Sequence, residues 1–134
     1  MTLMSYEQTG HAVHLLGYHL VWTPKYRRPV LVDAVADRLT VLLREKAAEI
    51  GATAHGLEVL PDQVHLFVAS DPTRAPANLG AQFKGSTSRV LRAEFPHLRS
   101  RLPTLWSRSY YIGSVGLVSA AMVQRYVESQ WARM

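Results

Sequence analysis

Apolar segments that switch from a period of two to a three-and-four rhythm and back, in the order strand, helix, strand, strand, helix, strand, predict an α+β fold. That order suits a ferredoxin-like sandwich, an antiparallel sheet with helices over one face. Two further observations sharpen it: a tight turn at Pro61-Asp62 joins the two middle strands as a hairpin, and an amphipathic stretch after the last strand predicts an additional C-terminal helix. At 134 residues the chain is the size of one domain, and no repeat or long linker divides 1–134.

Residues 1–10 carry no periodicity and end at Gly10, so they are expected to form a loose arm. Ala12 to Thr23 is rich in Val, Leu, Tyr and Trp and stops at Pro24, which predicts the first strand. Asp33 is placed to cap the first helix, whose buried face is Val35, Leu39, Leu42, Leu43, Ala47 and Ile50, with Gly51 as its stop. Ala54 to Leu60 and Gln63 to Ala69 read as the hairpin strands. Leu79, Phe83, Val90 and Leu91 outline the second helix, ending before Pro96. His97 to Arg108 reads as basic and irregular, and Leu105 to Gly113 as a fourth strand closed by Gly113-Ser114. Val115 to Leu117 then link into a last helix at 118–133.

Fifteen Lys and Arg against ten Asp and Glu give a net charge of +5, the sign expected for a phosphate-bearing partner but not sufficient to assign one. The absence of cysteine removes disulfide frameworks and thiolate zinc sites and fits a reducing interior. No run approaches the roughly eighteen apolar residues of a membrane span, and the first residues lack the pattern of a signal peptide. A cytoplasmic location is expected.

Charge is clustered in two places. Lys25, Arg27 and Arg28 surround Tyr26 directly after the first strand, which reads either as a solvated turn or as a loop that grips a nucleic-acid strand by phosphate pairing and base stacking. Lys84, Arg89 and Arg92 lie largely off the apolar stripe of the second helix, as solubilising charges or as phosphate contacts. Trp106, Tyr110 and Tyr111 join Tyr26 as candidates for stacking on unpaired bases, or as core.

In the returning hairpin strand, alternation separates Val64, Leu66 and Val68 from Gln63, His65 and Phe67. Two potential metal ligands therefore share one face. Tyr126 and Gln130 sit four residues apart in the last predicted helix, so a phenol able to act as a nucleophile and a carboxamide able to bind a metal project together. Singly, a strand histidine is ordinarily a structural hydrogen-bonder and a helix tyrosine ordinarily core; their combination in a basic chain points to metal-assisted chemistry on a nucleic acid. The other histidines, His11, His14, His19, His55 and His97, share no comparable spacing.

Three stretches resemble a known family. They are Tyr18-His19-Leu20-Val21-Trp22-Thr23-Pro24-Lys25-Tyr26-Arg27-Arg28-Pro29-Val30-Leu31, then Leu60-Pro61-Asp62-Gln63-Val64-His65-Leu66-Phe67-Val68, then Tyr126-Val127-Glu128-Ser129-Gln130. Together they are similar to the IS200/IS605-type single-stranded DNA transposases, within the single-tyrosine HUH endonucleases. The resemblance implies a homodimeric transposase that binds DNA hairpins at transposon ends and cleaves and rejoins the strand through a 5′-phosphotyrosine. It implies Tyr126 as nucleophile, His65 and Gln130 as ligands of Mg²⁺ or Mn²⁺, and the tyrosine helix of one subunit able to complete the other's site. Gln63 stands where the family has its first histidine, and an amide oxygen suits a hard cation but binds it more weakly. The alternative is therefore a nucleic-acid-binding domain of the same fold with weakened or absent catalysis.

Overall fold

Tyr18, Leu20 and Trp22 alternate along the first strand and are all buried, which sets one face of the sheet as the core. In the computed structural model, which describes residues 15–71 and 73–118, that strand is β1 (Leu15–Pro24). It is followed by a 3-10 turn (Lys25–Arg27), α1 (Asp33–Glu49), β2 (Thr53–Leu60), β3 (Gln63–Ser70), α2 (Pro76–Glu94), α3 (Pro96–Arg101) and β4 (Trp106–Val118). The expected arm at residues 1–10 and the expected tyrosine helix beyond Val118 lie outside the described residues.

The strands form a four-stranded sheet of order β2-β3-β1-β4, antiparallel at every pairing. This is the ferredoxin-like arrangement expected from the order of elements, with β1 and β3 central. The register sets Leu20 opposite Leu66 and Trp22 opposite Val64, so the apolar sets of the two strands coincide on the face toward α1 and α2. Val35, Leu39, Leu43 and Ala47 of α1 and Leu79, Phe83 and Leu91 of α2 complete the core. Full burial of a side chain such as Leu39 or Phe83 stabilises by roughly 1.5–3 kcal/mol.

Sequence and structure part at several boundaries. Asp33 is not a capping residue: it is the first residue of α1 with φ of +51°, and Val32 stands before it with no side-chain cap. Gly51, at φ +73°, ends α1 as expected, and the Ala52 N–H returns to the Ala47 carbonyl at 2.9 Å. Pro96 begins a short helix within the stretch read as irregular, because it needs no donor at a first helical position; Leu98 anchors that turn in the core. β4 runs through Gly113-Ser114 to Val118, because β1 offers a ladder partner as far as Leu15. Val115 to Leu117 therefore belong to a strand, not a link.

Trp106 and Tyr110 both tie β4 to α2. Trp106 is core, not a stacking platform: it is 6% exposed, its ring meets Trp22 edge-on at 5.9 Å, and its Nε1–H donates to Thr87 Oγ1 at 3.1 Å. The Tyr110 ring lies 3.0 Å from where a Cβ on Gly80 would stand, and the Lys84 ammonium sits 4.8 Å from its centroid. Replacing Thr87 by Val keeps the volume but leaves the buried indole N–H without its acceptor. The expected loss is about 1–3 kcal/mol, read as a lower urea midpoint with unchanged m-value.

Candidate functional site

The sheet face away from α1 and α2 is built by the other half of each alternation. β3 gives it Gln63, His65 and Phe67; the register brings Val21 and His19 of β1 beside them, Glu58 of β2 across from His65, and Tyr111 of β4 across from Val21. Gln63 and His65 thus share a face, as their spacing predicts. Gln63 Oε1 lies 2.9 Å from His65 Nε2.

The second nitrogen of His65, Nδ1, lies 3.2 Å from Nε2 of His19. The His19 ring stacks on Phe67, with centroids 4.1 Å apart and planes 12° from parallel, and meets Tyr111 edge-on at 6.1 Å. A polar row therefore runs Gln63, His65, His19 over an aromatic floor. An amide oxygen only accepts, so with His65 facing Oε1 its Nε2–H donates to Gln63 and its Nδ1 accepts from the His19 Nε2–H.

Burial holds these imidazoles neutral. It lowers the His19 pKa to about 4, helped by the neighbouring His65. It also lowers that of His65, against a smaller upward pull from the Glu58 carboxylate. Elsewhere on β2, burial alone lowers the pKa of His55, whose Nε2 has no hydrogen-bond partner among the described residues. A group whose folded pKa is depressed supports the fold fully above its unfolded value, and that support is lost as pH falls through the folded value. Metal-free protein should hold its urea midpoint above pH 6.5 and lose stability from there toward about pH 4, the window set by His19.

The donor set fits a divalent ion in part. Two atoms bound to Mg²⁺ at about 2.0–2.1 Å in adjacent octahedral positions stand about 3.0 Å apart. The Gln63 oxygen and His65 nitrogen have that spacing, at 2.9 Å. Among the described residues no three His, Cys, Asp or Glu side chains converge as a metal cluster. Gln130 and Tyr126 lie outside the described residues.

The basic candidates fall in separate places. Tyr26 and Arg27 hold positive φ values of 59° and 52°, a conformation that costs roughly 1–3 kcal/mol per non-glycine residue and needs support from its surroundings. That support comes from the Lys25 N–H on the Leu105 carbonyl at 2.8 Å and from Arg27 Nε on Asp62 at 3.0 Å. The loop presents Tyr26 to solvent with Lys25 over its ring at 5.4 Å, while Arg28 lines a cleft with Pro29, Val30, Arg101 and Leu102. Lys84 is turned inward, donating to the carbonyls of Ser107 at 2.7 Å and Arg108 at 3.4 Å. Arg89 is exposed in the groove between α1 and α2, beside Glu45, Lys46 and Glu49.

His19 and Arg101 were not singled out by the sequence as site residues. The signal for His19 is its parity: in this strand order the odd residues of β1 share the face of the odd residues of β3. Arg101 carries no signal beyond its charge.

The family model described as "Transposase IS200 like" matches residues 12–130. The ISDra2 transposase TnpA of Deinococcus radiodurans is 40% identical over 120 residues, covering 88% of this chain and 86% of that protein. The transposase of insertion sequence element IS200 from Salmonella typhimurium is 26% identical over 115 residues, covering 84% and 75%. The crystal structure of a Deinococcus radiodurans R1 protein described as a transposase superposes with a TM-score of 0.73 at 38% identity, covering 90% of this chain and 94% of that one. A REP-associated tyrosine transposase bound to a REP hairpin shares the fold, with a TM-score of 0.60 at 11% identity over 88% and 66%.

Proposed function

The chain belongs to the IS200-like transposase family, and from that premise we propose that it cleaves and rejoins hairpin-bearing single-stranded DNA at transposon ends, with Tyr126 as nucleophile and Gln63, His65 and Gln130 holding Mg²⁺ or Mn²⁺. The observation that carries this reading is the convergence of Gln63 Oε1 and His65 Nε2, 2.9 Å apart, on one strand face. When bound there, the ion supplies positive charge beside a phosphate oxygen and stabilises charge developing around phosphorus.

The chain's own groups do the rest. The phenol oxygen of Tyr126 attacks the scissile phosphorus and gives up its proton; the bond to the 3′ oxygen breaks, and that oxygen takes a proton to leave as a 3′-OH. The 5′-phosphotyrosine stores the bond energy, so a later 3′-OH rejoins the strand without a nucleotide triphosphate. Lys25, Arg27 and Arg28 hold the backbone phosphates, joined by Arg101 across the cleft at Arg28. Exposed Tyr26 offers a stacking face for an unpaired base. Lys84 serves the α2–β4 junction in this reading, and Arg89 is a phosphate contact outside the loop cluster. The active form is a homodimer, in which the tyrosine helix of one subunit is able to complete the site of the other. Support for a hairpin substrate comes from the fold neighbour solved with a REP hairpin.

Labelled hairpin DNA incubated with the protein and Mn²⁺ should yield a covalent adduct that survives denaturation and disappears in Tyr126→Phe. DNA binding with no adduct in the parent supports the other reading, a nucleic-acid-binding domain of the same fold with little or no catalysis, which Gln63 favours. A second outcome concerns that residue alone. Gln63→His replaces an amide oxygen by an imidazole nitrogen and should tighten Mn²⁺ binding, by about 10 to 100-fold if a first-position ligand matters at least as much as its outer-shell supports. Titration of Mn²⁺ by paramagnetic resonance measures it; unchanged affinity would remove Gln63 from the ligand set.

A further inference from the structure

His65 has two ring nitrogens, and the metal reading uses one of them. Nε2 faces Gln63 Oε1 and is the atom that would meet the cation; Nδ1 is 3.2 Å from His19 Nε2. A nitrogen that carries a proton cannot donate a lone pair to a metal, so His65 becomes a ligand only as its Nδ1–H tautomer. That tautomer needs an acceptor at Nδ1.

Of the described residues, the one placed to accept is His19. Its ring is held flat on Phe67 with 12° between the planes, its edge is met by Tyr111, and its Nε2 points at His65. Tyr111 keeps its place because position 113 is glycine: a Cβ there would collide with the Tyr111 phenol. The two strands set the reach, since His19 pairs across from Phe67 and Val21 across from His65, which makes the imidazoles diagonal neighbours.

We propose that His19 is a positioning residue for the metal site: it accepts the Nδ1–H of His65 through its own Nε2 and so frees His65 Nε2 for the ion. The inference rests on His65 being a metal ligand. Without metal the two rings hold the opposite arrangement, His19 Nε2–H to His65 Nδ1 and His65 Nε2–H to Gln63. Loading the site shifts one proton on each ring from one nitrogen to the other, with no net proton gained or lost. His19 touches neither DNA nor ion in this account.

The test uses the full chain and Mn²⁺ alone. His19→Phe keeps a flat ring on Phe67 but removes the acceptor, and should weaken Mn²⁺ binding by about 10 to 100-fold, the usual effect of losing an outer-shell partner. His19→Gln restores an acceptor near the same reach and should recover most of that affinity. Equal affinity in parent and His19→Phe, or equal loss in both variants, overturns the proposal. A parent in which Mn²⁺ binding is indifferent to His65→Ala overturns the metal reading itself, and the two failures are distinct because this one shows in the parent site. Should His19→Phe fail to fold, nitrogen-15 spectra of the parent decide: at saturating Mg²⁺ the His19 proton should reside on Nδ1, leaving Nε2 to accept; a proton on His19 Nε2 overturns the proposal, whereas one on His65 Nε2 overturns the metal reading.

Discussion

The two-residue repeat of a β-strand is the constraint on which the rest depends. β1 and β3 lie at the centre of the sheet, and each must serve two environments at once. Leu20, Trp22, Val64 and Leu66 point to the helices and are buried, while His19, Gln63 and His65 stand on the reverse face of the same strands. A slip of one residue in either strand would send imidazoles into the core and leucines out of it. The apolar half of the pattern therefore fixes the register, and the register aligns the polar half. Stability and chemistry are not separate layers here; they are the even and odd positions of the same segments.

The reverse face also explains why the histidines sit neutral. Each pays a desolvation cost for its protonated form, to which the neighbouring His65 adds at His19 and against which Glu58 pulls at His65. Neutral imidazoles are the form that binds metals. Glu58 of β2, directly across from His65, opposes burial without overcoming it. The face is thus tuned by neighbours on three strands, although only one of them carries the residues that the sequence singles out.

Much of the architecture was legible because hydrophobic periodicity depends on local spacing. α1, α2 and the Pro61-Asp62 hairpin announce themselves in this way, and so does the shared face of Gln63 and His65. What was not legible depends on partners distant in sequence. Gly113 looks like a strand end, yet it is the space beneath the Tyr111 ring in a strand that continues because β1 continues. Lys84 looks solvated, yet its ammonium is taken by carbonyls of β4. His19 lies 46 residues from His65 and reaches it only through the strand order. Asp33 has a capping residue's chemistry but not its backbone angles. For Gly113, Lys84 and His19 a local rule gave way to a contact that only the folded sheet supplies.

The ion pair between Arg27 and Asp62 links two parts otherwise described apart. Asp62 is the residue before Gln63, Arg27 belongs to the strained basic loop, and the Leu31 N–H on the Pro61 carbonyl at 3.0 Å braces the same junction. Any anion that recruits Arg27 must compete with that carboxylate, at a cost of only about 0–1 kcal/mol for an exposed pair. The exchange releases Asp62 one peptide away from a candidate ligand. In the proposed reading, a backbone phosphate taken by Arg27 would thus free a carboxylate at the entrance of β3.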